Sequence, residues 1–275
     1  MVGVVLDSVR LGCTFKYSSG EITARKPKIR LLNAVEFARE KLGFEPDARQ
    51  AEVLLSEASR GILNCSRQWG KSTVAAAKAV YRAYTKPGCL VLVASPSGRQ
   101  SRVFLRKASE MVRKLGITPR TDGDNPISLQ LPNRSRIVGV PGNEETVRGF
   151  SGVSMLMIDE AARVSEGMYA ALRPMLVTER GDLWLMSTPK GRRGFFYDVW
   201  EHGGSAWHRV RVPATECSRI APEVLEEQRN GMDAAEFRQE FMTEFLDDES
   251  DVFDRGVVEG AIDKGEAALK LRLRF

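Results

Sequence analysis

Short apolar runs bounded by polar residues recur along the chain at 61–65, 89–94, 154–158, 183–187 and 207–212, and each predicts a strand. The run Ser154-Met155-Leu156-Met157-Ile158 does not alternate, as expected of a central parallel strand covered on both faces. Between and around these runs the apolar positions take up helical spacing. Helices are predicted at 33–42, 47–59, 73–84, 99–115, 168–175, 194–201, 221–230 and 233–240. One stretch alternates and turns back on itself. Ile127-Ser128-Leu129-Gln130-Leu131 leads into Pro132-Asn133-Arg134, and Arg136-Ile137-Val138-Gly139-Val140 returns, which predicts a hairpin. Strands alternating with helices predict an α/β fold, a mostly parallel sheet with helices on both faces.

Two of the strands run into candidate chemistry. The strand at 61–65 leads to Ser66-Arg67-Gln68-Trp69-Gly70-Lys71-Ser72-Thr73 and then directly to the helix former Val74-Ala75-Ala76-Ala77. A helix that starts this way offers unpaired N–H groups and a positive dipole end to an anion. In the pattern G-x-x-x-x-G-K-[ST], Lys71 would reach the β- and γ-phosphates of ATP and Ser72 would hold Mg²⁺. Cys65 stands where that pattern places its first glycine. Taken alone, the loop also reads as a glycine-containing turn before a surface helix. The second strand ends in Asp159-Glu160. Parallel strands deliver their last residues to the sheet edge where ligands bind. There Asp159 would hold the metal and Glu160 would orient and deprotonate an attacking water. Alone, the pair also reads as an acidic cap on a helix starting near Ala161. The two motifs together favour an ATPase: a P-loop NTPase fold of the RecA/ASCE type.

Composition narrows the partners. The 275 residues are 43% hydrophobic, enough for one large domain with appendages. No apolar stretch approaches the roughly 20 residues that span a bilayer, and the first ten residues carry no secretory pattern, so a cytoplasmic protein without a membrane partner is expected. Cys13, Cys65, Cys89 and Cys217 show no C-x-x-C spacing and predict reduced thiols, with no zinc site. The net charge of +5 is unevenly spread. Residues 1–120 carry 22 Lys and Arg against 9 Asp and Glu, whereas residues 121–275 carry 19 against 27. A basic front half suits a polyanion. Arg134 and Arg136, beside the hairpin turn, are candidate DNA contacts.

Three further features converge on the nucleotide. Leu183-Trp184-Leu185-Met186-Ser187-Thr188-Pro189 ends a strand in hydroxyls, and Ser187 or Thr188 would sense the γ-phosphate. Gln50 opens a helix after Glu45-Pro46-Asp47 and carries an amide able to read adenine. Arg148, in Thr146-Val147-Arg148-Gly149, is either an arginine finger or an exposed loop charge.

The ordered set Gln50, Ser66-Arg67-Gln68-Trp69-Gly70-Lys71-Ser72-Thr73, Val147-Arg148-Gly149, Ile158-Asp159-Glu160 and Ser187-Thr188-Pro189-Lys190-Gly191 resembles the large terminase subunit of tailed double-stranded DNA bacteriophages. Gly194-Phe195-Phe196-Tyr197-Asp198-Val199-Trp200 and Phe237-Arg238-Gln239-Glu240-Phe241 extend the resemblance over roughly residues 40–255. The family tolerates loss of the first loop glycine. It implies a motor that hydrolyses ATP with Mg²⁺ and drives viral DNA through a portal into a procapsid. By resemblance, Arg67 contacts the γ-phosphate within its own subunit and Arg148 acts on a neighbour's ATP. The resemblance implies double-stranded DNA, the portal protein and the small terminase subunit as partners. It also implies a pentameric ring on the portal, with the isolated domain able to remain a monomer, in the bacterial host's cytoplasm.

The family's large subunit joins this ATPase to an RNase H-like nuclease that holds two metals on carboxylates from separate strands. Asp247, Asp248, Glu249 and Asp251 are bunched in one polar run and do not supply that set. The expected division is an N-terminal extension over 1–45, an ATPase domain over 46–250 with a helical subdomain from about 215, and the start of a linker over 251–275. The rival readings are a helicase-like translocase and a nucleotide-dependent scaffold without turnover.

Overall fold

A computed structural model describes residues 32–121, 123, 127–140, 147 and 149–247. The chain divides between Leu31 and Leu32, and all described residues belong to the second unit. Their strands are β1 (Arg60–Cys65), β2 (Leu90–Ala94), β3 (Ser128–Gln130), β4 (Arg136–Val140), β5 (Val153–Asp159), β6 (Asp182–Ser187) and β7 (His208–Val212). They form one sheet in the order β3-β4-β2-β5-β6-β1-β7. All neighbouring pairs are parallel except β3–β4. The α/β expectation is thus met, with every predicted strand within about two residues of its place. A single strand, β6, separates the loop strand β1 from the Asp-Glu strand β5.

Side chains alternate across a strand, so each central strand feeds two cores. Leu63, Val91, Val93, Met155, Met157 and Met186 meet the helices α1 (Ala34–Leu42), α3 (Lys71–Thr85) and α4 (Gly98–Lys114). Ile62, Leu92, Leu156, Ile158 and Leu185 face the other way, toward α5 (Glu166–Leu172) and α6 (Gly194–His202). The remaining helices are α2 (Ala48–Leu55), α7 (Pro222–Gly231) and α8 (Ala234–Glu240).

Local chemistry explains where elements begin and stop. Asn33 caps α1 reciprocally with Glu36, and Gly43 closes it with φ 56°. The predicted helix 47–59 ends early, at Leu55. Its last carbonyls are taken by Lys78 of α3, whose Nζ donates to Val53 O (3.0 Å), Leu54 O (3.4 Å) and Ser56 O (2.9 Å). The predicted helix 168–175 divides into α5 and a 3₁₀ turn, Arg173–Leu176. Pro174 has no N–H to continue the α ladder.

The hairpin forms, but not as a projection. β3 and β4 are the edge of the sheet, and the turn between them lies at the edge opposite the phosphate loop. Asn133 Nδ2 donates to Ala83 O (2.8 Å) and Tyr84 O (3.2 Å), and Ser135 Oγ to Lys86 O (2.8 Å). The tip is therefore clasped to the end of α3. Arg134 sits in it exposed, with φ 68°, and Arg136 is half-buried at the start of β4. No helix among the described residues is long and apolar enough to cross a membrane.

Candidate functional site

The loop between β1 and α3 is held by its own backbone and by distant helices. Gly70 takes φ 98°, which a side chain would resist, and so turns the chain into α3 at Lys71. Helix α3 therefore starts two residues before the apolar pattern indicates. Gln68 is also left-handed, at φ 64°. Ser66 N–H donates to Val212 O (2.9 Å), tying the loop to β7, and Thr73 N–H to Gly70 O (2.9 Å). Trp69 is buried beneath the loop. Its carbonyl accepts from Gln50 Nε2 at 2.9 Å and also from Arg219 Nη2.

The Gln50 amide, the candidate reader of adenine, is engaged within the protein here. Its Oε1 accepts from Asp47 N–H (3.1 Å) in the cap of α2, and its Nε2 grips Trp69. Both ends of the amide are engaged inside the protein and the side chain is fully buried. In this structure it secures the loop.

Lys71 is buried, with Nζ donating to Cys65 O (2.8 Å) and Ser66 O (3.0 Å) of its own loop. Burial pulls its pKa below the ordinary lysine value, and the carboxylates of Glu160, Asp159 and Glu240 oppose that pull. Cys65, standing in for the glycine, is buried and its thiol is pushed up by burial, so it is an inert small core residue. Ser72 Oγ donates to Asp159 Oδ2 at 3.1 Å, which joins the two predicted metal ligands across 87 residues of sequence. Burial, then the neighbouring Glu160, raises the Asp159 pKa to about 6, against the Ser72 hydrogen bond, Lys71 and Lys107. Its Oδ1 is buried with no hydrogen-bond partner among the described residues. A hydroxyl beside a buried carboxylate with a spare oxygen is a hard oxygen donor set, and it fits Mg²⁺ completed by phosphate and water.

Glu160 follows at φ 54°, half-exposed in the cleft. Its Oε2 accepts from Arg163 Nη1 at 3.1 Å. The same Nη1 reaches Thr188 Oγ1 at 3.1 Å, and Nη2 donates to Glu240 Oε1. Glu240 also takes Arg67, through Nε on Oε2 (2.8 Å) and through Arg67 N–H on the Glu240 carbonyl (2.9 Å). Burial would raise the Glu240 pKa, but Arg67, Arg163 and the Thr188 hydroxyl hold it below the ordinary carboxylate value. The predicted γ-phosphate ligand Arg67 is thus paired with α8 in this structure.

A cleft of about 410 Å³ is lined by Arg67, Gln68, Gly70, Lys71, Ser72, Thr73, Lys107, Glu160 and Arg219. Four of these are cations, a charge match for a triphosphate. Thr188 is buried just behind, and Ser187 is buried with its Oγ lacking a partner among the described residues. Arg148 lies outside the described residues. Arg134 and Arg136 belong to the opposite sheet edge.

Arg163, Glu240, Lys107 and Arg219 are site residues that the sequence did not single out. Arg163 could have been found, since it stands one turn after Asp159-Glu160. Arg219 reaches Trp69 across 150 residues, and nothing local signals that contact.

Comparison with known proteins gives the family. Residues 62–257 match the family described as terminase large subunit, T4likevirus-type, N-terminal. Two curated proteins named terminase, large subunit, from Thermus phage G20c and Thermus virus P23-45, are each 25% identical over 250 residues. Those matches cover 78% of this chain and 51% of each relative, so the chain spans about half the length of the curated relatives it matches. Among solved structures, the large terminase ATPase domain of Thermus phage P74-26 has a TM-score of 0.69 at 22% identity, covering 79% of this chain and 100% of that one. The HK97 bacteriophage large terminase has a TM-score of 0.65 at 14% identity, covering 78% and 55%. The large terminase of a thermophilic bacteriophage in complex with ADP has a TM-score of 0.64 at 14% identity, covering 73% and 54%. At these identities the solved structures speak for the fold alone, while the family match covers most of the sequence. The chain belongs to the T4-like terminase large subunit family, in its N-terminal part.

Proposed function

We propose that this chain is the ATP-hydrolysing domain of a viral DNA-packaging motor, which moves double-stranded DNA into a procapsid. The observation that carries the proposal is the cleft where Lys71, the Ser72–Asp159 pair and Glu160 meet at one sheet edge. Lys71 now holds loop carbonyls and would exchange them for β- and γ-phosphate oxygens. Arg67 would leave Glu240 for the γ-phosphate. Glu160 would orient the attacking water and take its proton. Ser72 and Asp159 would hold Mg²⁺, which when bound neutralises charge on the phosphates. Thr188, through Arg163, would report the state of the γ-phosphate to Glu160.

We take the ATPase domain as 46–250, with 1–45 as an N-terminal extension whose helix α1 packs into the same core and 251–275 as the start of a linker. We expect the motor to work as a ring, pentameric on the portal protein, supplied with DNA by the small terminase subunit in the host cytoplasm. We expect the 275 residues to leave supercoiled plasmid intact in Mn²⁺, because Asp247, Asp248, Glu249 and Asp251 are bunched in one polar run rather than spread over separate strands.

Phosphate release with and without linear duplex DNA tests the reading. Lys71→Ala should lose nucleotide binding and turnover together. Glu160→Gln should keep binding and lose about 10²-fold or more in turnover, the scale of a positioned general base. Unchanged turnover in Glu160→Gln would remove the assignment of that carboxylate.

A further inference from the structure

Helix α4 carries a row of arginines that the nucleotide cleft does not use. Arg99, Arg102, Arg106 and Arg113 are all exposed, at spacings of three, four and seven residues that place them on one helix face. Arg99, Arg102 and Arg106 border a hollow of about 310 Å³ together with Val103. The row carries one acidic residue, Glu110.

What sets this row apart is its density: four exposed arginines share one helix face with a single carboxylate, Glu110. Some exposed arginines elsewhere in the fold find carboxylates: Arg39 with Glu45 (2.8 Å), Arg219 with Asp47 (3.1 Å) and Arg238 with Glu244 (2.7 Å). Arg99, Arg102 and Arg106 have no ion pair or side-chain hydrogen bond among the described residues. Unpaired guanidinium groups one turn apart repel one another, and a phosphate chain removes that cost. From Arg99 to Arg106 the helix rises about 10 Å, the length over which one DNA strand presents about three phosphates at about 3.4 Å each.

The hairpin tip is a weaker candidate. Its turn is spent holding the end of α3, and only Arg134 stands exposed there. Helix α4 has a second property. Lys107, the residue after Arg106, lines the nucleotide cleft and lies close enough to bias Asp159. One helix therefore carries Arg106 of the row directly beside a residue of the cleft.

We infer that the α4 face formed by Arg99, Arg102 and Arg106 is a docking surface for the phosphate backbone of double-stranded DNA, read without regard to base sequence. The inference takes its ligand from the packaging function proposed above, and its location from the unpaired row alone. Contacts of this kind position a duplex and carry no sequence information.

The test uses the 275-residue protein and a labelled duplex of random sequence, followed by fluorescence anisotropy between about 50 and about 200 mM salt. The triple variant Arg99→Ala/Arg102→Ala/Arg106→Ala should bind at least 10-fold more weakly at the low-salt end. Its slope of log K against log salt should flatten by about 2.7, since each lost phosphate contact removes about 0.9. The matching triple Arg→Lys variant should keep most of the slope, because lysine serves as a point charge. A scrambled duplex should give the same curves.

Affinity and slope unchanged in the alanine triple would overturn the inference. So would a lysine triple as weak as the alanine triple, or an unmodified protein that binds no duplex at low salt. Binding of a fluorescent ATP analogue, read on the same proteins, separates this surface from the cleft. The alanine triple should bind the analogue as the unmodified protein does. Failure of the unmodified protein to bind it would remove the ATPase reading and leave the DNA result standing.

Discussion

Glu160 is a non-glycine residue in left-handed backbone, directly after a strand buried on both faces. Such a conformation costs of order 1–3 kcal/mol and persists only where the surroundings over-determine it. Arg163 is part of those surroundings, since one guanidinium meets Glu160, Thr188 and Glu240. It touches no reacting atom, so its role is positioning. Arg163→Gln should therefore lower kcat by about 10- to 100-fold, the scale on which a misplaced catalytic group loses rate. KM for ATP should hardly move, because Lys71, Ser72 and the loop remain. Arg163→Lys should recover only part of the rate, as it keeps the charge and loses the fork. Steady-state kinetics decide it: a raised KM at unchanged kcat would make Arg163 a binding residue instead. The sequence shows Asp159 and Glu160 plainly because both sit at the end of an unmistakable strand. It does not show Glu240, which lies 80 residues beyond Glu160 and is brought in by the packing of α8.

At the scale of elements, α2 and α3 are joined by a buried cation. Lys78 caps the end of α2 with three hydrogen bonds and lies 4.4 Å from the centre of the Trp184 ring. The ring itself has room because its in-register neighbour on β1 is Gly61, where a Cβ would fall 2.4 Å from a ring carbon. Burial, helped by Arg82, depresses the Lys78 pKa from 10.5 to about 8, against Asp182. The sign follows directly. Below pH 8 the lysine is charged in both states and its burial cost is constant. Between about 8 and 10.5 only the unfolded chain holds the proton, so unfolding takes one up and stability rises with pH. One such group contributes at most about 1.4 kcal/mol per pH unit. Urea titrations from pH 7 to 11 should show this rise in the unmodified protein, and Lys78→Met should be less stable throughout and lack that component. Equal slopes in the two proteins would place the titrating group elsewhere. Periodicity made α2 and α3 legible, yet the same lysine in an alanine-rich helix reads as a solvated charge. Only the tertiary fold turns it inward.

At the scale of the whole molecule, we propose that Arg148 acts across a subunit boundary. If it serves a neighbour's ATP, Arg148→Ala subunits keep an intact site of their own, and mixing them with Lys71→Ala subunits should restore hydrolysis in assembled rings. Arg67 lies within its own subunit's cleft, so Arg67→Ala mixed with Lys71→Ala should restore none. In related NTPases a trans arginine is worth about 10³–10⁵ in rate, which leaves ample signal for phosphate-release assays. Recovery in the second mixture, or none in the first, would exchange the two roles. The mostly parallel sheet was readable because short apolar runs alternating with helical spacing obey local rules, whereas the order of its strands was not. Nor was the fate of the hairpin, because alternation predicts a pair of strands and says nothing of what their turn touches. That turn grips the far end of α3, whose near end is Lys71. The helix is consequently fixed in phase at both ends. Each residue turns an α-helix by about 100°, so a single insertion or deletion between Val74 and Ala83 would point either the phosphate lysine or the clasped carbonyls the wrong way. In related sequences the length of α3 should be held constant while its exposed side chains drift freely.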